Sequence, residues 1–336
     1  MISESDTLLD TLRRDGCVHG VGATLTPLSG GISSDIYLVK DGGEQFVVKR
    51  ALAKLRVKDD WFANVGRNAT EQAYLRCVSR FLPEAVPQLR SANPQAGYFC
   101  MEFLGGGFAN WKKLMLDGVC ETAHAAQAGK ILGTIHRQTA GDSAVANEFA
   151  TTADFQQLRI EPYLLTTGSR HPALQEIFER EAGRLAVSRE ALVHGDFSPK
   201  NILICEGRMV VLDCEVAWFG DPVFDVAFLL NHLFLKSLHH APADCGLEKM
   251  IVVFWRAYKD ALANGLMPGL EARLVPLLLM LLLARVDGKS PAEYLTPPKQ
   301  QFIRDFVYRH LPLPPNNLAA LSALWFLRVY ELAPSA

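Results

Sequence analysis

An α+β architecture in two lobes is predicted, with a small β-rich N-terminal lobe over 1–104 and a larger, mostly helical C-terminal lobe over 105–336. Three observations predict it. Alternating, turn-punctuated runs fill much of the first hundred residues. The run Gly105-Gly106-Gly107 then breaks the pattern. Helical spacing dominates the remainder, apart from one strand-and-turn stretch at 192–218.

The elements follow in order. TLTPLSGG, DIYLVK and FVVKR read as strands, and Asp41-Gly42-Gly43 between the last two is a hairpin signal. NATEQAYLRCVSRFL carries apolar residues at Ala69, Ala73, Leu75, Val78 and Leu82, a helical spacing that stops before Pro83. AVPQLRSANPQAGYFCMEFL reads as two strands around an Asn93-Pro94 turn. Helices are expected over most of 108–190 and again from about 222 to the end. A crevice between two lobes is where a ligand is expected.

Composition narrows the function. Hydrophobic residues make up 49% of the chain, so a sizeable core is within reach and wholesale disorder is excluded. The net charge of −2 lacks the basic excess of a nucleic-acid binder. Seven cysteines, none spaced as C-x-x-C, argue against a disulfide framework or a zinc site and fit reduced thiols in the cytoplasm. The start MISESDTLLDTLRRDG has no apolar signal region. The longest apolar run, Leu274 to Ala284, is about half of what a bilayer needs and contains Pro276, so it reads as the start of a buried helix and no membrane partner is expected.

The chemistry concentrates in LVHGDFSPKNILICEGRMVVLDCE, Leu192 to Glu215. Asp196 and Asn201 lie on a turn-rich segment. A hairpin follows, Ile202-Leu203-Ile204, a turn at Glu206-Gly207, then Val210-Val211-Leu212. A hairpin brings its ends together, so Asp213 returns beside Asn201, with Asp196 one loop away. Oxygen ligands of this kind suit Mg²⁺ and substrate phosphates. In the N-terminal lobe, Ser29-Gly30-Gly31-Ile32-Ser33-Ser34 forms a turn whose N–H groups can cradle an anion. Lys49 ends the next strand and needs a counter-charge, for which Glu71 on the following helix is the natural source.

These residues resemble the aminoglycoside phosphotransferase and choline kinase group, small-molecule kinases with a protein-kinase-like fold. The resemblance rests on His194-Gly195-Asp196 with Asn201, on Leu212-Asp213-Cys214-Glu215, on Gly220-Asp221-Pro222 with Asp225-Val226-Ala227, and on the glycine loop, Lys49 and Glu71 in order. It spans roughly residues 20–235. It implies ATP and Mg²⁺, with Asp196 taking or orienting the proton of an acceptor hydroxyl. Asn201 and Asp213 would hold the metal, with Glu215 as a further ligand or an outer-sphere group. Gly30, Gly31, Ser33, Ser34 and Lys49, paired with Glu71, would serve the phosphates. Glu102 and Leu104, in Met101-Glu102-Phe103-Leu104, would offer backbone groups to adenine. Asp225 would brace the catalytic loop.

Two departures from the protein-kinase pattern stand out. The metal motif is Asp213-Cys214-Glu215, closer to choline and methylthioribose kinases than to protein kinases. Gly195 replaces an arginine, and the short interval from Asp213 to Asp221 leaves no long activation segment, so regulation by loop phosphorylation is not expected. His194 is read as a structural histidine and His136 as a packing residue. Gly288-Lys289-Ser290, Gly20-Val21-Gly22 and the sequon at Asn68 are decoys. The segments Gln157 to Tyr163 and Arg285 to Lys289 are candidates for touching the acceptor, against a plainer reading as helix ends. The expected acceptor is a small hydroxylated molecule such as a sugar or amino alcohol. The alternatives are an aminoglycoside antibiotic and, in another class, a nucleotide-binding sensor without transfer activity.

Overall fold

The computed structural model describes residues 4–28, 34–51, 66–243, 245–262 and 269–332. The chain divides into two compact units, Met1–Phe108 and Ala109–Ala336.

In the first unit, helix α1 (Glu4–Arg14) precedes strands β1 (Thr24–Pro27), β2 (Ser34–Asp41) and β3 (Glu44–Ala51). Helix α2 (Arg67–Ser79) follows, then β4 (Leu89–Asn93) and β5 (Tyr98–Glu102). The five strands form one sheet in the order β1-β2-β3-β5-β4, every pair antiparallel. Asp41 pairs with Glu44 across a two-residue loop. Gly42 there sits at φ 59°, the left-handed conformation such a tight hairpin demands. One face of the sheet packs Val39, Phe46, Val48, Tyr98 and Cys100 against Leu8 and Leu12 of α1. Alternation along β3 sends Lys49 to the opposite face, with Val47.

The second unit opens with β6 (Ala109–Asn110), α3 (Trp111–Leu116), α4 (Thr122–Thr139), α5 (Ser143–Glu148) and α6 (Thr152–Phe155). A wide π-helical stretch, Gln156–Leu165, runs into α7 (Thr166–Arg170). Pro162 inside it has no N–H and crowds the preceding turn, which accounts for the widened winding. Then come α8 (Gln175–Val187), β7 (Ala191–Val193), β8 (Ile202–Cys205), β9 (Arg208–Val211), β10 (Trp218–Gly220) and α9 (Val223–His240). The chain continues as α10 (Leu247–Leu262), α11 (Leu270–Asp287), α12 (Pro297–His310) and α13 (Leu318–Tyr330).

Two features organise this unit. Helix α4 lies directly on α10, because a Cβ at Gly129 would meet the Phe254 carbonyl oxygen at 2.4 Å and one at Gly133 the Tyr258 carbonyl oxygen at 2.5 Å. Helix α9 is buried from Val223 through Leu238 and packs on α11. The apolar run 274–284 lies within α11 instead of opening it: the helix begins at Leu270, after Gly269 at φ 67°. Pro276 therefore falls in the second turn, where it cannot donate back to Ala272. No helix among the described residues is long and apolar enough to cross a membrane.

Candidate functional site

Each unit carries its own group of candidate residues. In the first, β3 delivers Lys49 and α2 delivers Glu71. The Lys49 Nζ stands 2.9 Å from Glu71 Oε1 and 2.7 Å from Oε2, with both side chains almost fully buried. A lysine in that position, charged and sequestered, requires such a partner. Ser34 opens β2, where it is buried and pairs with Ala51. Glu102 closes β5. Its N–H donates to the Gln88 carbonyl at 2.8 Å and its carboxylate accepts the Gln88 N–H at 3.1 Å. Glu102 also pairs with Phe46 in the sheet, while Leu104 lies just beyond the strand, half-buried. Gly30, Gly31 and Ser33 fall outside the described residues.

In the second unit the loop between β7 and β8 is tied from beneath. The Asp225 carboxylate, wholly buried on α9, accepts the His194 N–H at 2.6 Å and the Gly195 N–H at 2.9 Å. His194 is itself a strut. Its Nδ1 accepts the Asp196 N–H at 3.1 Å, which puts the ring proton on Nε2, facing the Leu212 carbonyl at 3.2 Å. Burial pushes this imidazole's pKa down, outweighing the pull of Asp225 and Asp196, so the ring stays neutral. Gly195 sits at φ 78°, and a Cβ there would lie 2.6 Å from the Val216 carbonyl oxygen. His136 does more than pack: its ring bridges the Tyr258 hydroxyl at 3.0 Å and Asp225 at 3.4 Å.

The hairpin has the expected register. Ile202 pairs with Val211, and the Leu212 N–H donates to the Asn201 carbonyl at 2.8 Å. Asn201 Nδ2 donates to the Asp196 carbonyl at 3.1 Å, which leaves Oδ1 as the acceptor end of that amide. Asp213 adopts φ 63°, a left-handed turn directly after the hairpin. Its carboxylate and that of Glu215 bring oxygens within 4.8 Å of one another. Two carboxylates at that spacing are hard oxygen donors, which fit a divalent cation such as Mg²⁺ and not a thiophilic metal.

Two cations converge on Asp196. Arg159 Nη2 and Lys200 Nζ each stand 3.0 Å from Asp196 Oδ2, and Ser198 Oγ lies 3.4 Å from Oδ1. Arg159 also donates to the Gly195 carbonyl. Burial works against its charge, yet Asp196, Tyr163, Glu215 and Asp213 together raise its pKa. The segment Gln157 to Tyr163 therefore reaches the catalytic loop, through the widened turns around Pro162. The other suspected segment makes its contacts among the described residues elsewhere. Arg285 donates to Ser290, Asp287 is held by Arg304 at 2.7 Å, and Lys289 pairs with Glu161 at 2.9 Å.

Sequence reasoning missed Lys200 and the buried Lys236. The first lies four residues after Asp196, on the 3₁₀ turn Pro199–Asn201. The second is visible in sequence as the one Lys or Arg within VFDVAFLLNHLFLKSLHH.

Antiparallel sheet with one flanking helix pair in the first unit, and a helical second unit built on a pinned loop and a metal-type hairpin, define a protein-kinase-like fold. The profile of the phosphotransferase enzyme family matches residues 24–244, and the chain belongs to that family. The chain is 25% identical over 245 residues to a methylthioribose kinase of Pectobacterium carotovorum subsp. carotovorum (strain PC1), a match covering 64% of this chain and 59% of the relative. It thus spans about three fifths of the length of that curated relative. Among solved structures it is similar to a choline kinase of Streptococcus pneumoniae (TM-score 0.52, 16% identity, 92% of this chain and 100% of that one). It is also similar to an amicoumacin kinase in complex with AMP-PNP, Ca²⁺ and Ami (TM-score 0.55, 15% identity, 94% of this chain and 96% of that one).

Proposed function

We propose that this chain transfers the γ-phosphoryl group of ATP to a hydroxyl of a small molecule. The observation that carries the reading is the loop of Asp196: Asp225 fixes the backbone that presents it, and the hairpin closing at Asn201 and Leu212 leads directly into the neighbouring carboxylates of Asp213 and Glu215. Membership of the phosphotransferase family supports it.

Each residue then has a task. Asp196 orients the acceptor hydroxyl and accepts its proton as the oxygen attacks. Arg159 and Lys200 hold its carboxylate at one rotamer and place positive charge where the transferred group accumulates negative charge. Lys49, kept in place by Glu71, binds the α- and β-phosphates. Gly30, Gly31, Ser33 and Ser34 serve the phosphates in this reading, and Glu102 and Leu104 offer backbone groups to the adenine. Asn201, Asp213 and Glu215 hold Mg²⁺, which when bound neutralises phosphate charge.

The test is ADP release with Mg²⁺-ATP across hydroxylated acceptors, together with the Asp213→Ala variant. Acceptor-dependent turnover that disappears in Asp213→Ala is expected. Activity persisting in that variant would remove the metal role. Protection from heat by Mg²⁺-ATP with no transfer to any acceptor would favour the sensor reading.

A further inference from the structure

Helix α9 holds a charged residue that none of the roles above uses. Lys236 is fully buried, and its Nζ has no hydrogen-bond partner among the described residues. An ammonium so placed is costly unless something anionic meets it. Its surroundings are basic and aromatic. The Nζ lies 5.5 Å from the centroid of the Tyr294 ring, and Lys112 Nζ lies 5.9 Å from the same centroid. Arg285 and Lys112 add positive potential, against Glu293 and Cys120. Glu293 is already engaged by Lys112. The Tyr294 hydroxyl, the Arg285 Nε and both amide atoms of Asn231 are likewise buried without partners.

This cluster is continuous with the catalytic loop. Phe228, His232 and Lys236 are four residues apart on α9 and share one face, beginning a turn after Asp225. Phe228 stacks edge-on with His232 at 5.6 Å and with Tyr163 at 5.5 Å, and the Arg159 guanidinium lies 5.8 Å from its ring. Helical side chains lean toward the N-terminus, so Lys236 leans back over the turn of His232. Burial, then the charges of Lys236, Arg285 and Lys200, keep the His232 imidazole neutral. Lys200 is the same lysine that stands on Asp196.

We propose that Lys236 is the anchor of the acceptor site and that the acceptor is a hydroxy acid. Its carboxylate sits on the Lys236 ammonium and its hydroxyl faces Asp196. The inference rests on the kinase reading for the role of the hydroxyl, and on the buried lysine alone for the acid. Of the cations here, Lys112 has Glu293 and Arg285 is held by the neutral Ser290, so Lys236 is the one whose charged end has no hydrogen-bond partner among the described residues. A single ammonium without a partner matches one carboxylate oxygen pair, and the nearby Arg285 adds to the pull on an anion. A polycation or a choline-like ammonium would meet repulsion. In the transfer, the hydroxyl oxygen forms a bond to the γ-phosphorus and the bond from that phosphorus to the β,γ-bridging oxygen breaks. ADP leaves with the electron pair, and the hydroxyl proton passes to Asp196.

The probes are glycerate, threonate, ribonate and gluconate, each beside its neutral polyol, with N-methylglucamine and sorbitol 6-phosphate added. Calorimetric binding is measured on the full chain without nucleotide, for wild type and Lys236→Met. ADP release is measured separately with Mg²⁺-ATP. At least one acid is expected to bind at least tenfold tighter than its polyol, with that preference lost in Lys236→Met. Lys236→Gln, which keeps polarity without charge, is expected to lose it too, and both variants should melt cooperatively. Binding of polyol, amine or sugar phosphate in preference to every acid would overturn the proposal, as would an acid preference unchanged in both variants. Lys236-dependent acid binding without any transfer would leave the anion site standing and sink the kinase reading instead.

Discussion

The carboxylate of Asp225 accepts the backbone N–H of Gly195 at 2.9 Å, linking α9 to a loop 30 residues earlier in the chain. Its other oxygen takes the His194 N–H. The consequence is that the peptide just before Asp196 has no freedom to rotate, and the aspartate is aimed by a carboxylate on α9. Removing that carboxylate leaves two buried N–H donors unsatisfied, at about 1–3 kcal/mol each. Asp225→Ala is therefore expected to lower stability by about 2–6 kcal/mol in urea unfolding, with Asp225→Asn milder because an amide oxygen can keep one bond.

Gly195 answers to the same constraint from the other side. Its φ of 78° and the Val216 carbonyl 2.6 Å from any added Cβ leave no room for a side chain. Gly195→Ala should cost about 1–3 kcal/mol of backbone strain and displace Asp196. A fall in kcat larger than the rise in KM for the acceptor is the expected kinetic signature; unchanged kinetics would show that the loop adapts.

Asp196→Asn preserves shape and removes the proton acceptor. If base assistance supplies about 10²–10⁴-fold, kcat should drop by that factor, equivalent to about 3–5 kcal/mol. Protection from heat by Mg²⁺-ATP should survive, since the aspartate is assigned to the acceptor. A variant within threefold of wild type would remove Asp196 from the chemistry.

The Lys49–Glu71 pair tests the first unit. Glu71→Ala strands a buried ammonium, a loss of about 3–5 kcal/mol when one partner of a buried pair is removed. The double replacement Lys49→Met with Glu71→Leu should recover much of that stability, because neither charge is then buried. ATP turnover should stay lost in the double variant. Thermal melting and ADP release read the two effects apart.

Lys236 gives a pH dependence with a definite sign. Burial, reinforced by Lys112 and Arg285, brings its pKa from 10.5 down to about 7. Between those values the unfolded chain holds a proton that the folded chain has released. Stability from this residue therefore rises with pH across that interval, by at most about 1.4 kcal/mol per unit. Urea unfolding at pH 7 and pH 9 should show wild type gaining on Lys236→Met as pH increases. A difference independent of pH would mean that the lysine keeps its proton when folded.

Much of the site is legible in the chain because its parts are local. Asp196 and Asn201 share one turn, and the two-stranded ribbon from Ile202 to Val211 returns Asp213 by register alone. The β2–β3 hairpin is written in Gly42, which takes the positive φ its turn needs. The pairing of Lys49 with Glu71 could be anticipated from charge, since a strand lysine inside a small lobe must find an acid. The reading of the 274–284 run as a helix start misplaced the boundary, because the capping turn at Gly269 lies outside the apolar pattern.

What the sequence by itself determined is thus the fold class, the hairpin and the grouping of candidate residues along it, all set by short-range spacing and turn geometry. Tertiary structure alone decided which cations meet Asp196 and which lysine is left without an anion. Arg159 arrives from a proline-widened helix 37 positions before Asp196, and Lys236 loses its solvent only once α9 is enclosed by its neighbours. Burial and long-range approach depend on packing of the whole unit, and a side chain's charge has no cost until the solvent around it is gone.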